Sequence, residues 1–261
     1  MTAELLRERN DRTLVLTMSD PQSRNALAEQ VLRAGVEALE EAGSDPTLRC
    51  VVLRGAGAHF CAGGNLNGLA VRRQQGPAAQ RHMIDLLHRW ISALRNCPKP
   101  VIAAVEGAAA GAGFSLALAC DLIVAAQSAR FTLSYARLGL SPDAGATWAL
   151  TRALPRQRVQ QMVWLAEPLG AEELRACGLV AQVSPDGGAL VQALQLAQRL
   201  GAMAPNALRS GKLLVDQAQT NTLAEQLDAE GEHFVANLFH ANGGEGLQAF
   251  AEKRPPRWQH R

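Results

Sequence analysis

Aromatic residues are scarce in this chain of 261 residues, at 4%, and the net charge is close to zero. Lysine and arginine number 26 and aspartate and glutamate 24, which leaves a formal charge of +2 and no basic run. Such a mild charge argues against a nucleic-acid-binding protein. Because 48% of the residues are hydrophobic, the chain can bury a large core, and we expect that core to pack on small side chains.

The cysteines lack any CxxC pair, and their number is odd: Cys50, Cys61, Cys97, Cys120 and Cys177. The sequence therefore predicts neither a metal site nor a disulfide framework, and it favours a reducing, cytoplasmic compartment. The N-terminal segment is charged and lacks the apolar centre of a signal peptide. The longest apolar stretch, residues 101–126, is interrupted by Glu106, Asp121 and glycines, so it predicts buried strands and a helix rather than a membrane span.

Strands and helices are predicted to alternate along the first part of the chain, as in right-handed βα crossover units. The β-rich runs are residues 13–17, 50–54, 101–105, 121–126 and 131–133, and helical patterns cover 26–42 and 78–96. A further strand-like run lies at 179–183. After residue 201 only helices are predicted, at 205–218, 223–238 and 243–252.

Two glycine-rich turns each follow a buried strand, at residues 59–66 (HFCAGGNL) and 105–113 (VEGAAAGAG). Small residues let a ligand approach the backbone closely, and a helix N-terminus has unpaired N–H groups. Two N–H groups directed at one point would form an oxyanion hole. Tight strand–helix packing explains either turn alone equally well. The phosphate-loop pattern GxxxxGK[ST] is absent, and neither turn has GxGxxG in the required context.

Together with their flanks, the turns resemble the enoyl-CoA hydratase/isomerase (crotonase) superfamily. The motif FCAGGNL precedes KPVIAAVEGAAAGAGFSLALACDLIVAA by about forty residues, and the similarity continues through SARF, LGLSPDAGATW and GLV to EGLQAFAEKRPP. The resemblance implies an α/β fold, a spiral of ββα units with the CoA site in residues 1–200. It implies a helical region in residues 201–261 that forms homotrimers, often paired as dimers of trimers. The implied ligand is an acyl-CoA thioester, with no separate cofactor, no nucleic acid and no membrane.

The resemblance also assigns residues to the thioester site. It places the two oxyanion N–H groups on Gly64 and Ala112. It places CoA along two segments of the chain, which contribute Gln22, Ser23, Arg24, Ala26, Ala62, Gly63, Gly64, Asn65 and Leu66. It also predicts that Phe250 and Lys253 contact the CoA of a neighbouring subunit. From its local sequence alone, Lys253 would be a solvated cation at a helix end.

The acid/base group differs from that of the superfamily's hydratases, which hold one water between two glutamates. Those positions fall on Ser115 and Tyr135 here, and neither is a carboxylate, so simple hydration of a 2-enoyl-CoA is in question. The nearest acidic residue is Asp143. Its position resembles the carboxylate of isomerases acting on ring-derived acyl-CoAs, and also the nucleophile of 4-chlorobenzoyl-CoA dehalogenase. Without the resemblance, Pro142-Asp143 would be interpreted as a helix cap.

His88 lies at helical spacing from Ile84 and Ile91, at the edge of a predicted buried stripe, where a packing role is common. Its offset from Asp143 resembles that of the base and nucleophile of the dehalogenase. The same pair resembles the alternative type of oxepin-CoA hydrolase, as does the motif FCAGGNLN.

Candidate residues of the acyl pocket are Tyr135, Ser115, Phe114 and Trp148. Tyr135 could instead orient Asp143, or simply be a half-buried residue. For Phe114 and Trp148, core packing is the more common role of such side chains.

The leading hypothesis is an isomerase or ring-opening hydratase/hydrolase acting on a cyclic or aromatic-derived enoyl-CoA. The N–H groups would stabilise a thioester enolate while Asp143 moves a proton, with His88 as helper or second base. One carboxylate suffices to move a proton between two carbons, whereas concerted addition of water needs two. The alternatives are a straight-chain enoyl-CoA hydratase, a dehalogenase-type enzyme with Asp143 as nucleophile, and a non-catalytic crotonase-like binding protein.

Overall fold

The computed structural model describes residues 3–259. Within them the chain forms nine strands, numbered in chain order. They are β1 (Glu4–Asn10), β2 (Thr13–Ser19), β3 (Cys50–Gly55), β4 (Val101–Val105), β5 (Ala108–Ala110), β6 (Leu122–Ala126), β7 (Arg130–Thr132), β8 (Leu169–Gly170) and β9 (Gln182–Ser184).

The strands form two sheets. The main sheet has the order β1-β2-β3-β4-β6-β9, in which β1 is antiparallel to β2 and every other neighbouring pair is parallel. The second sheet has the order β5-β7-β8. The parallel pairs confirm the crossover units predicted from the alternation of strands, glycine turns and helices.

The described part of the chain has eleven α-helices. They are α1 (Glu29–Ser44), α2 (Leu66–Gln75), α3 (Pro77–Asn96), α4 (Ala112–Ala119), α5 (Ala146–Ala153), α6 (Arg156–Leu165), α7 (Ala171–Ala176), α8 (Ala189–Gly201), α9 (Pro205–Gln217), α10 (Leu223–Leu238) and α11 (Ala241–Ala251). Short 3₁₀ turns cover Pro21–Ser23 and Ser134–Leu138.

The main sheet is covered on both faces, which explains the nearly continuous apolar strands β3 and β4. On one face α8 packs alanines such as Ala193 against Val52 and Ile102. On the other, α1, α3 and α4 fill the larger core. Small residues allow close packing there, as predicted: a Cβ atom on Gly35 of α1 would lie 2.3 Å from the indole of Trp90, which is fully buried in α3.

The C-terminal segment contains the three predicted helices, α9 to α11, with ends shifted by up to two residues. Large apolar side chains are exposed on it, including Leu223, Phe234, Phe239 and Phe250. The division at residue 200 and the role of this segment in oligomer formation stay predictions. No helix in residues 3–259 is long and apolar enough to cross a membrane.

Several elements were not predicted, among them the short strands β5 and β8, strand β1 and helix α2. Strand β1 has mostly exposed side chains and owes its formation to seven paired positions with β2. Helix α2 has no buried residue and hence no apolar stripe to reveal it, and it begins where the side chain of Asn65 accepts a 2.9 Å hydrogen bond from the N–H of Gly68. The first predicted helix starts later than expected, at Glu29, because Leu27 extends to bridge Gly64.

Candidate active site

The two glycine-rich turns lie against each other at the ends of β3 and β4. A bridge joins Cys61 to Ala109, and the N–H of Ala110 donates a 2.9 Å hydrogen bond to the carbonyl of Cys61. In return, the N–H of Cys61 donates a 3.0 Å bond to the carbonyl of Ala108. The two segments, about fifty residues apart in sequence, are therefore fixed relative to each other by backbone hydrogen bonds.

Gly63 sets the distance between the turns. Its φ is +88°, and a Cβ atom there would lie 2.6 Å from the carbonyl oxygen of Ala110 and 3.2 Å from the nitrogen of Ala112. Its own carbonyl accepts a 2.8 Å bond from the N–H of Leu27. Glycine is therefore required here, both for the left-handed backbone and for the close approach of the second turn.

Gly64 and Ala112 both line one cavity. Ala112 is the first residue of α4, so its N–H has no acceptor within the helix. Among the described residues, neither N–H donates to a backbone or side-chain acceptor outside regular helices and strands. Two unpaired donors on adjacent turns can bind one developing oxyanion. Their assignment to that role stays a prediction.

The cavity has a volume of about 940 Å³. Its walls are mainly apolar and come from α1, α2, α3 and the segment around the second 3₁₀ turn: Leu27, Leu32, Leu69, Met83, Ile84, Leu87, Leu138 and Leu140. Of the residues predicted to contact CoA, the cavity is lined by Ser23, Ala26, Ala62, Gly64, Asn65 and Leu66. An apolar cavity with a few polar groups is the usual form of a small-molecule site.

Asp143 and Tyr135 line the same cavity as Gly64 and Ala112. The hydroxyl of Tyr135 donates a 2.6 Å hydrogen bond to Oδ1 of Asp143. Oδ2 accepts no hydrogen bond from another residue within the described part of the chain. One carboxylate oxygen is thus fixed, while the other is available to a ligand.

Burial raises the pKa of Asp143 above its usual range, and the Tyr135 hydrogen bond and the charge of His88 oppose the shift. Burial and the neighbouring carboxylate raise the pKa of Tyr135. At neutral pH the phenol is therefore a hydrogen-bond donor and not a base. A carboxylate whose pKa is raised takes up a proton more readily, as an acid/base group must.

Ser115 contacts the backbone of Asp143 rather than its carboxylate. Its side chain is buried, and its hydroxyl donates to the carbonyl oxygen of Asp143 at 3.2 Å and lies 3.4 Å from that of Gly111. Both positions at which the hydratases have glutamate therefore carry a hydroxyl that contacts Asp143. The pair supplies no second carboxylate, and among the described residues lining the cavity Asp143 is the only acidic one.

Three of the four predicted pocket residues do not line the cavity: Ser115, Phe114 and Trp148. Phe114 is fully buried and packs against Phe131 with ring centroids 5.1 Å apart, so its bulk belongs to the core. Trp148 is 42% exposed and lies in a separate groove, where its ring is covered by the guanidinium groups of Arg95 and Arg152 at 4.9 and 3.9 Å. Core packing and cation–π contacts, respectively, account for these side chains.

Several predicted CoA contacts also lie outside the cavity lining. Gln22 and Arg24 are exposed beside the first 3₁₀ turn, and Gly63 acts through the backbone as described. Phe250 is 87% exposed and Lys253 is exposed, near the end of α11. An isolated chain does not test their predicted contact with a neighbouring subunit.

His88 is exposed on α3 and does not line the cavity, whereas the adjacent Leu87 and nearby Ile84 do. It directly follows Leu87 and lies on the solvent side of the buried face that Met83, Leu87 and Trp90 form. Its charge still influences Asp143. Its catalytic role stays a prediction.

Two cations and an amide that line the cavity were not predicted from the sequence: Arg72, Arg137 and Gln80. Arg72 extends from α2, which was not predicted, and its Nε donates a 2.8 Å bond to the side chain of Gln80 on α3. Arg137 donates a 2.9 Å bond to the carbonyl of Ala166. Cationic groups at this rim suit an anionic ligand.

A thiol nucleophile is not available at the turns. Cys61 is fully buried, which raises its pKa to about 12. Its sulfur instead lies 3.4 Å from the N–H of Gly63 as a weak acceptor. The reactive groups of this cavity are therefore Asp143 and the two backbone donors.

Sequence comparison supplies the context for this geometry. The model of the family described as enoyl-CoA hydratase/isomerase matches residues 8–261. The chain is 37% identical over 247 residues to 1,2-epoxyphenylacetyl-CoA isomerase of Escherichia coli K12, with 94% of each chain covered. It is 36% identical over 254 residues to 2,3-dehydroadipyl-CoA hydratase of the same organism, covering 97% of this chain and 98% of the relative.

Structural comparison gives the same result. The chain superposes on the crystal structure of an enoyl-CoA hydratase from Polaromonas sp. JS666 with a TM-score of 0.96, 50% identity and coverage of 98% and 99%. An enoyl-CoA hydratase from Bacillus anthracis gives a TM-score of 0.93 at 28% identity, with coverage of 99% and 100%. The fold implied by the two glycine-turn motifs is confirmed.

Proposed function

Since the chain belongs to the enoyl-CoA hydratase/isomerase family and is an acyl-CoA enzyme, we propose that it is an isomerase of an enoyl-CoA thioester in which Asp143 moves the proton. The observation that carries this proposal is the single carboxylate at a cavity that also presents two unpaired backbone N–H groups. Both hydroxyl groups at the hydratase glutamate positions contact Asp143: that of Tyr135 donates to its carboxylate, and that of Ser115 donates to its backbone carbonyl.

The proposed reaction begins with the thioester oxygen accepting hydrogen bonds from the N–H groups of Gly64 and Ala112. Oδ2 of Asp143 then removes a proton from a carbon conjugated with the thioester, and the electron pair of the broken C–H bond moves to the thioester oxygen as an enolate. Asp143 returns the proton to another carbon, which shifts the double bond and regenerates the carboxylate. The donors act because they bind the enolate more strongly than the neutral thioester.

The substrate class we propose is a cyclic or aromatic-derived enoyl-CoA. The apolar walls from α1 and α3 support a hydrocarbon acyl group. The relative named 1,2-epoxyphenylacetyl-CoA isomerase, at 37% identity, supports a ring. CoA would extend past Ser23 and Asn65 toward solvent, and no metal or redox cofactor is needed for the proton transfers.

A second candidate is a ring-opening or simple hydratase, favoured by the 36% identity to 2,3-dehydroadipyl-CoA hydratase. Asp143 would then have to activate the water and also return a proton to the product. One carboxylate must perform both steps in turn, which makes this the slower route. Dehalogenase-type chemistry is disfavoured by the exposure of His88, its required base.

The proposal includes a homotrimer or a dimer of trimers formed through the C-terminal helices, supported by their exposed Phe234 and Phe239. It also includes a cytoplasmic location, supported by five unpaired cysteines.

The experiment is mass spectrometry of purified protein with straight-chain 2- and 3-enoyl, oxepin and 4-chlorobenzoyl CoA esters, in D₂O and separately in H₂¹⁸O. Deuterium uptake or a mass-neutral double-bond shift without ¹⁸O supports the isomerase. Gain of water on an enoyl ester supports the hydratase instead, and ¹⁸O in Asp143 itself would establish the nucleophilic route.

A further inference from the structure

Arg49 is a buried arginine without a counterion. It precedes β3, its residue is 6% exposed, and its Nε atom is buried without a hydrogen-bond partner. Within residues 3–259, no side-chain hydrogen bond or ion pair of Arg49 is formed. A buried charge is normally neutralised by an acid or a bound anion, because removing it from water is costly.

The charged groups nearest Arg49 increase this imbalance. Burial and the positive charge of Arg12 lower the pKa of Arg49, and no carboxylate opposes them. On another side Lys99, whose ammonium donates to the carbonyls of Ala42 and Asp45, is itself repelled by Arg49. The C-terminal end of α8 packs on the Arg49 side chain at Gly201 and supplies only partial negative charge.

Arg49 borders two clefts that could admit a ligand. One, of about 630 Å³, is also lined by polar residues: Asn10, Asp11, Arg12, Thr13, Gln195 and Gln198. The other, of about 380 Å³, is lined by Asp45 and Lys99 among others. Asp11 and Asp45 are the acidic groups facing these clefts, and neither forms an ion pair with Arg49 among the described residues. No residue lining either cleft lines the active-site cavity.

We propose that the larger cleft, between the β1–β2 turn and α8, binds a small phosphoryl anion through Arg49 and Arg12. A doubly charged oxyanion offers acceptors to both guanidinium groups, and the amides of Gln195 and Gln198 can donate to its remaining oxygens. Bound there, the anion removes the repulsion between Arg12 and Arg49 and stabilises the edge of the main sheet. This site is independent of the proposed reaction.

The test measures melting temperature and binding by calorimetry as inorganic phosphate is added in HEPES buffer, against sodium chloride at equal ionic strength. The intact protein is compared with Arg49→Met, Arg12→Gln and, as a matched control for net charge, Arg209→Gln, an exposed arginine of α9. AMP serves as a second probe, since a free ion and a phosphate monoester share the same chemistry.

The proposal predicts a saturable rise in melting temperature with phosphate but not chloride, unchanged in Arg209→Gln. Arg12→Gln should bind phosphate about tenfold more weakly, the loss expected for one hydrogen bond between charged groups. Arg49→Met should lose the response and, without phosphate, should melt no lower than the intact protein, because it removes an uncompensated charge. No saturable phosphate effect, or full affinity in Arg12→Gln, would overturn the proposal even if Arg49→Met failed to fold.

Discussion

The hydroxyl of Tyr135 donates a 2.6 Å hydrogen bond to Oδ1 of Asp143, and so joins the second 3₁₀ turn to the carboxylate at the active-site cavity. The bond restricts the carboxylate to one orientation and lowers its pKa against the effect of burial. Tyr135 is therefore a positioning residue in the proposed mechanism.

Replacing Tyr135 with phenylalanine is expected to move the acidic limb of the pH–rate profile to higher pH. Without the hydroxyl, burial is opposed only by the charge of His88 and the backbone N–H of Asp143 itself, so the pKa of Asp143 rises and the base becomes protonated at a higher pH. Turnover should fall about tenfold at pH 6 and less at pH 8. An equal loss at every pH would indicate that Tyr135 acts only through packing.

Ala112→Pro removes one proposed oxyanion donor without removing a helical hydrogen bond. Ala112 is the first residue of α4, a position that accepts proline because its N–H has no intrahelical partner. We expect turnover to fall about 100–1000-fold. Ala112→Gly keeps the N–H and should stay close to the unchanged protein. Equal rates for the two variants, both folded by circular dichroism, would remove Ala112 from the site.

Gly63 and Gly76 are two of the glycines with a positive φ. Substituting each in turn distinguishes the cost of backbone strain from the cost of a close contact. A Cβ atom on Gly76, with φ +99°, meets nothing within 4 Å, whereas one on Gly63 meets the carbonyl of Ala110 at 2.6 Å. Gly76→Ala should lower the free energy of unfolding by about 1–2 kcal/mol. Gly63→Ala should lower it by about 1–3 kcal/mol more and reduce turnover, since it pushes the turns apart. Denaturant titration measures the stability of the two variants, and steady-state kinetics measures their turnover. Similar stabilities would contradict the close approach of Gly63 to the second turn.

His88→Ala is expected to change turnover at neutral pH by no more than about threefold. The imidazole is exposed, so its effect on Asp143 is an electrostatic one screened by solvent. Steady-state kinetics at two salt concentrations measures it. A loss of tenfold or more that is independent of salt would restore His88 as a second base.

Elements with a recognisable residue pattern could be predicted from the sequence, whereas elements that depend on distant contacts could not. The apolar run of β3 and the glycine-rich turns predicted a buried strand and the turn that follows it, because buried parallel strands have a strong pattern. The two N–H donors were assigned from the family resemblance, and that assignment stays a prediction. Strand β1 was missed since its stability comes from pairing with β2. The pocket role predicted for Trp148 failed because its partners Arg95 and Arg152 depend on the packing of other helices.

The hydrogen bonds that other residues make to Asp143 could not be predicted from a sequence pattern either. Ser115 lies 28 residues from Asp143 in the chain, and its hydroxyl reaches the Asp143 carbonyl only once α4 and the loop before α5 are packed. The absence of glutamate at positions 115 and 135 was evident, whereas the new contacts of the residues that replace it required the fold.

The exchange of substrate protons with solvent tests the central assignment most directly. Intact protein and Asp143→Asn are incubated with an enoyl-CoA ester in D₂O, and deuterium in the ester is followed by mass spectrometry, with binding of the ester measured separately. We expect rapid exchange by the intact protein. In the variant, exchange should be slowed about 100–10,000-fold while the dissociation constant is little changed, because the amide keeps the Tyr135 contact but cannot accept the proton. Exchange at a normal rate in Asp143→Asn would contradict the account.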